Sequence, residues 1–298
     1  MRNDRANILI FVLLALVVLS LFSIAVSYNS AADIKLARYE SDSIKSLYLA
    51  KAGIAKMSAE LNKDRNNYTS LNEGWNREKE FRFWGGKVVY SASDESSRIN
   101  LNSPGLSREH LIRLGLDEDI SRSLLDYKIG KGDKGFEFME ELFLIDGVTA
   151  DIYLRIKDHG TIYRGADSRI NINTAGENVL RLVLGNDLII NRIIGFRQGD
   201  DAKDGTSDDG VFTEDNFSAV FKDFGAAPET VLNYQALFSV KSDFFRILSE
   251  ASFSEDKNQA SPIRHCSADV GANGVSSRAR RIAAVTDRYG KIYYWKDE

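Results

Sequence analysis

No charged residue stands between Arg5 and Asp33, and neither glycine nor proline interrupts the chain before Gly53. The stretch 8–26 is almost wholly apolar and long enough to cross a bilayer as a helix. Arg2 and Arg5 precede it, which favours a cytoplasmic N-terminus. Beyond Asp33 the apolar residues Ile34, Ala37, Ile44, Leu47, Tyr48, Ile54, Ala55 and Leu61 recur at three- and four-residue steps. That is the period of an amphipathic helix. The expectation is one continuous helix from about Asn7 to about Asn62, roughly 80 Å long at 1.5 Å per residue. Its first half is apolar all round, and its second half lays one face on a globular head. Two readings compete, an ordinary membrane anchor on a soluble domain and a secretory signal cleaved after Ala32, but the helical period runs through that cut.

The chain also repeats itself. Arg98-Ile99-Asn100-Leu101-Asn102-Ser103-Pro104 returns as Arg169-Ile170-Asn171-Ile172-Asn173-Thr174-Ala175. Each copy leads into a helical pattern with a Leu-Gly (Leu114-Gly115, Leu184-Gly185). A Gly/Asp/Lys loop comes next, then a phenylalanine with acids, Phe138-Met139-Glu140-Glu141 against Phe212-Thr213-Glu214-Asp215. Asn and Ser/Thr side chains satisfy free backbone groups where an extended chain becomes a helix. Thr174-Ala175-Gly176-Glu177 reads as a capping box, and Ser107 as a further cap. Residues 98 to about 235 are therefore expected to be helical and compact. Leu142 to Lys157 reads as another helical pair around Asp146-Gly147.

Period two governs the flanks. Phe81–Trp84 and Lys87–Ala92 read as strands about Gly85-Gly86, and Leu237 to Leu248 as strand, including Phe238-Ser239-Val240. Arg280–Val285 and Lys291–Trp295 close a hairpin around Asp287-Arg288-Tyr289-Gly290. The fold class is thus α+β: a long N-terminal helix packed on an antiparallel sheet, with a large α-helical domain inserted between strands. The divisions are 7–28 for the membrane-spanning part of the helix, 29–97 for its second half and the first strands, 98–235 for the insert, and 236–298 for the remaining strands.

With 298 residues, 43% of them hydrophobic, the chain has ample material for packed cores. A formal charge of −4 without like-charge blocks is not the footprint of a nucleic-acid coat. The single Cys266 excludes an internal disulfide. His265-Cys266 are neighbours in a polar connector, where a catalytic pair seldom forms, so no enzyme activity is expected. Calcium takes six to eight oxygens from flexible acidic loops, and the run 200–210 is such a loop. Its candidate ligands are Asp200, Asp201, Asp204, Asp208 and Asp209, with Glu214 beyond; a solvated acidic loop is the plain alternative.

Taken together these pieces resemble the K-type minor pseudopilins of type II secretion systems. The resemblance rests on Asp94 to Asn102, Arg169 to Ala175, Phe238-Ser239-Val240-Lys241-Ser242-Asp243-Phe244-Phe245-Arg246, Ile282 to Arg288 and Ile292 to Glu298. It covers nearly the whole chain and implies a pilin-like fold. It also implies a leader of residues 1–6 cut between Ala6 and Asn7, with Ala6 in place of the usual Gly. Pilins carry a glutamate five residues into the mature chain, where this chain has Phe11. Further implications are calcium in the helical domain, a single-pass place in the inner membrane with the head in the periplasm, and a position at the pseudopilus tip. The implied partners are I-type and J-type minor pseudopilins, then the major pseudopilin and the secretion apparatus. A different reading is a membrane-anchored helix-hairpin-helix receptor for DNA uptake. Its hairpins need glycine-rich backbone N–H groups facing a phosphate, and Asp117, Glu118 and Asp119 in the first hairpin repel one. Nucleic acid is therefore not an expected partner.

Overall fold

A computed structural model describes residues 3–163, 169–253 and 278–297. Helix α1 runs unbroken from Asn3 to Lys63. Its apolar first part is long enough to cross a membrane, and none of that part is buried in the fold. Burial begins only beyond Ser41.

The face that α1 lays on the sheet keeps Ile54 and Leu61 of the expected stripe, with Leu47 at its margin, and otherwise differs from it. Ser46, Leu49, Ala50, Ile54, Met57 and Leu61 are buried, whereas Ile34, Ile44 and Tyr48 are more than half exposed. Small residues decide this. Gly53 sits against Ser249 and Val88 so closely that a Cβ there would lie 2.1 Å from the Ser249 hydroxyl. A helix approaches a sheet most closely where its side chains are smallest, so large apolar residues are a poor guide to the contact line.

The sheet has five strands in the order β1-β2-β7-β8-β9, all antiparallel. Strand β1 (Lys79–Phe83) turns through Trp84-Gly85 into β2 (Gly86–Asp94). Strands β7 (Phe244–Phe253), β8 (Arg278–Asp287) and β9 (Ile292–Asp297) complete it. Val88, Tyr90 and Ala92 of β2 alternate toward α1, as do Phe245, Ile247 and Ala251 of β7. Trp75 caps this core edge-on to Phe245, with ring centres 5.3 Å apart.

Between β2 and β7 the chain leaves the sheet and builds a second core of its own. The order there is β3 (Ile99–Asn100), α2 (Arg108–Arg113), α3 (Glu118–Lys131), a 3-10 segment (Met139–Leu144), α4 (Ala150–His159) and β4 (Gly160–Thr161). The same order then recurs as β5 (Ile170–Asn171), α5 (Glu177–Leu184), α6 (Asp187–Gln198), α7 (Phe217–Asp223), α8 (Pro228–Leu237) and β6 (Phe238–Ser239). In each cycle the last strand pairs in parallel with the first, β3 with β4 and β5 with β6. The insert is therefore two modules, each closed on itself by a two-residue parallel ladder. Phe238, Ser239 and Val240 belong to the second module and not to the main sheet, because Phe238 pairs with Ile170 and packs in the helical core.

Candidate functional site

The repeated asparagines are the joints of the insert. The carboxamide oxygen of Asn100 accepts the N–H of Asn102 at 2.8 Å, and that of Asn171 accepts the N–H of Asn173 at 3.0 Å. Asn102 then closes a ring with the backbone of Phe136: it accepts that N–H at 2.7 Å and donates to that carbonyl at 2.9 Å. It also donates to Ile162 O at 2.8 Å. Asn173 does the same with Phe212, at 2.8 and 2.9 Å, and with Val240 O at 3.4 Å. Phe136, not Phe138, is thus the counterpart of Phe212. The register expected from the acids was off by two residues because the shared feature is backbone pairing to an asparagine.

Basic side chains also recur. Lys128 on α3 donates to Ser103 O, and Arg197 on α6 donates to Ala175 O at 2.6 Å and Ile172 O at 3.3 Å. Ser107 caps α2 as expected, accepting from His110 N at 3.4 Å. The expected box at Thr174 does not form. Gly176 is the N-cap residue of α5, without a side-chain cap, and the Thr174 hydroxyl donates to Asp94 instead.

The acidic run after α6 is a tight loop. Asp208 accepts the N–H groups of Asp200 and Asp201 at 2.8 and 3.2 Å, and a hydroxyl bond from Thr206 at 2.7 Å. Those donors, Thr206 first, hold its carboxyl below the usual carboxylate range. Asp209 accepts from Gly205 N at 2.7 Å and Thr206 N at 3.1 Å, and Asp201 accepts from Lys203 N at 2.9 Å. Asp204 faces Arg197 at 3.4 Å. Glu214 lies apart, lining a cleft of about 440 Å³ with Arg169, Phe217, Gln235 and Lys241. Asp201, Asp208 and Asp209 meet at the Thr206 hydroxyl, at 3.4, 2.7 and 2.8 Å, and among the described residues no three carboxylates, imidazoles or thiols form a metal-sized group. The loop is held to the sheet domain by Arg77, which donates to Gly205 O at 2.5 Å.

Two glycines of the hairpins that a DNA-binding reading would use have their N–H groups taken. Gly115 N–H donates to Ile112 O at 2.8 Å, and Gly185 N–H to Arg181 O at 3.1 Å. Arg155 covers the Gly115 carbonyl at 2.8 Å, Arg113 presses on Gly185, and Arg192 donates to Phe224 O beside Gly225. Those two glycine N–H groups are engaged within the fold. Ala6 and Asn7 lie in the first turns of α1. His265 and Cys266 lie outside the described residues.

No family model matches the chain, and no curated protein sequence matches it. Among solved structures, a chain of the GspK-GspI-GspJ complex from the type 2 secretion system of enterotoxigenic Escherichia coli is similar with a TM-score of 0.57. The identity is 13%, over 88% of this chain and 99% of that one. The two share a fold: a long N-terminal helix, an antiparallel sheet and further helices.

Proposed function

We propose that this chain is a K-type minor pseudopilin, a non-enzymatic subunit at the tip of the type II secretion pseudopilus. It starts assembly of that filament and supports export of folded proteins across the outer membrane. Helix α1 anchors it in the inner membrane, its head lies in the periplasm, and I-type and J-type minor pseudopilins are its partners. The observation that carries this reading is the fold likeness over 99% of a chain from a GspK-GspI-GspJ complex. Two features support the tip position. Phe11 stands where a paired carboxylate would otherwise tie the helix to a neighbouring subunit, since a carboxylate in hydrocarbon needs a partner. The two-module insert also adds bulk to the head, which hinders stacking of a further subunit.

Co-expression with I-type and J-type pseudopilins from the same source tests the reading. The three are expected to leave a gel-filtration column together; separate peaks count against it. N-terminal sequencing of the mature protein is expected to begin at Asn7. A start at Asp33 points to a secreted protein.

The acidic loop as a calcium site is part of the same proposal. Its support is the density of carboxylates. It requires that Asp208 and Asp209 exchange backbone N–H partners for the ion. Calcium that binds only the folded chain raises its melting temperature by mass action. The melting temperature is expected to rise with calcium in the parent chain and to stay flat in an Asp204→Ala, Asp208→Ala double variant. Equal melting in calcium and in chelator for the parent removes the site.

A further inference from the structure

Two carboxylates stand side by side where the insert departs from the sheet. Asp94 ends β2 and Glu95 is the next residue. The returning chain runs beside them: Asp94 is in register with Phe245, and Glu95 N–H donates to Phe244 O at 3.0 Å. Both are buried, at 5% and 1% exposure.

They hold different modules and keep different company. Glu95 serves the first module, accepting the Thr161 hydroxyl at 2.7 Å. Two guanidinium groups compensate its charge, Arg246 of β7 at 2.5 Å and Arg98 at 3.6 Å. Asp94 serves the second module. It accepts from the Asn171 amide at 3.2 Å and from the Thr174 hydroxyl. It also takes the Ser242 hydroxyl on the returning segment at 2.5 Å and Ser96 N–H at 2.7 Å. Not one of these four donors carries a charge. From the side of α1 and the β8–β9 hairpin, Arg288 reaches Ser242 O at 3.3 Å and the Thr69 hydroxyl, but its charge is matched by Asp64 at 2.9 Å. Lys241 and Asp243 flank Ser242 in the chain.

Burying an anion among neutral donors is costly, whereas a neutral carboxyl in the same place is not. Hydroxyl groups can turn from donor to acceptor when the carboxyl gains a proton, so the cluster survives protonation. We propose that Asp94 is a proton-set fastener of the second module: taking up a proton tightens the seam between that module and the sheet, and the first module, held through the ion pair of Glu95 with Arg246, serves as the internal reference. Burial pushes the Asp94 carboxyl up to about 6 from an ordinary 3.8, with the four hydrogen bonds pulling the other way. The closed seam therefore binds the proton more tightly than the opened one. Its stability grows as pH falls through about 6 toward 3.8 and is lost as pH rises, the reverse of a carboxylate paired with arginine.

Hydrogen–deuterium exchange of the full chain in detergent micelles at two pH values, about 7.5 and about 5, reads each seam separately once intrinsic exchange rates are divided out. The amides of Asn171, Ile172 and Asn173 report on the second module, and those of Leu101 and Asn102 on the first. The ratio of second-module to first-module protection is expected to rise about tenfold on acidification. Asp94→Asn is expected to abolish that rise. A flat or falling ratio in the parent chain, or a rise that persists in the variant, overturns the proposal. Should the variant fail to fold, carbon-13 titration of the Asp94 carboxyl in the parent chain decides. A midpoint near 6 supports the fastener, and one at or below the ordinary aspartate value overturns it.

Discussion

Asn102 and Asn173 show how much a single side chain can hold. Each is buried, and each satisfies three backbone groups from segments far away in sequence; for Asn102 these lie 34 and 60 residues on. Replacing either by alanine leaves those groups unpaired in a dry interior, at about 2–4 kcal/mol per site. Asn173→Ala is expected to cost somewhat less, because its bond to Val240 O is long at 3.4 Å. Equilibrium urea unfolding of both variants checks the magnitude and the order. The sequence showed that these asparagines join a strand to the helix after it, and the local bonds within Asn100–Asn102 and Asn171–Asn173 are of that kind. It did not show the distant partners. A carboxamide advertises donors and an acceptor, but which backbone groups need them depends on the folded course of the chain.

At the scale of elements, the contact of α1 with the sheet turns on Gly53. Glycine to alanine inside a helix normally stabilises by up to about 1 kcal/mol. Here the added Cβ would meet the Ser249 hydroxyl at 2.1 Å and Val88 Cγ1 at 3.0 Å. Gly53→Ala is expected to lower stability by about 1–3 kcal/mol instead, through overpacking that lifts the helix from β2 and β7. Thermal unfolding followed by circular dichroism reports the sign. Hairpins were legible from period and turn residues: β1–β2 and β8–β9 lie where the sequence placed them. Phe238-Ser239 was read as strand, but its place was not legible, because its partner Ile170-Asn171 is parallel, remote and only two residues long.

At the scale of the whole molecule, the two cores are separate and α1 belongs to only one of them. Residues 9–41 of α1 are exposed throughout, so they contribute little to the stability of the head. A chain that begins at Asn29 is expected to melt within about 0.5 kcal/mol of the full chain, as surface changes usually do, and to stay in solution without detergent. A large loss on truncation, measured by urea unfolding, would mean that the first half of α1 folds back on the head.

The sequence alone determined the long helix, the two strand regions and the helical stretch between them. These stem from charge-free length, from periods of two and three to four residues, and from turn chemistry, all of which are local. The duplication was visible at its opening, where Arg-Ile-Asn-x-Asn is repeated, and at the Leu-Gly that ends the first helix of each copy. That each copy runs a full cycle and closes on itself was decided by tertiary pairing. The fate of the acids was also decided there. Asp208 and Asp209 were drawn onto backbone N–H groups of their own loop, and Asp94 was buried at the splice between two cores. A carboxylate looks alike at every position of a sequence; its partners, and hence its charge, are fixed by the groups that the fold brings to it.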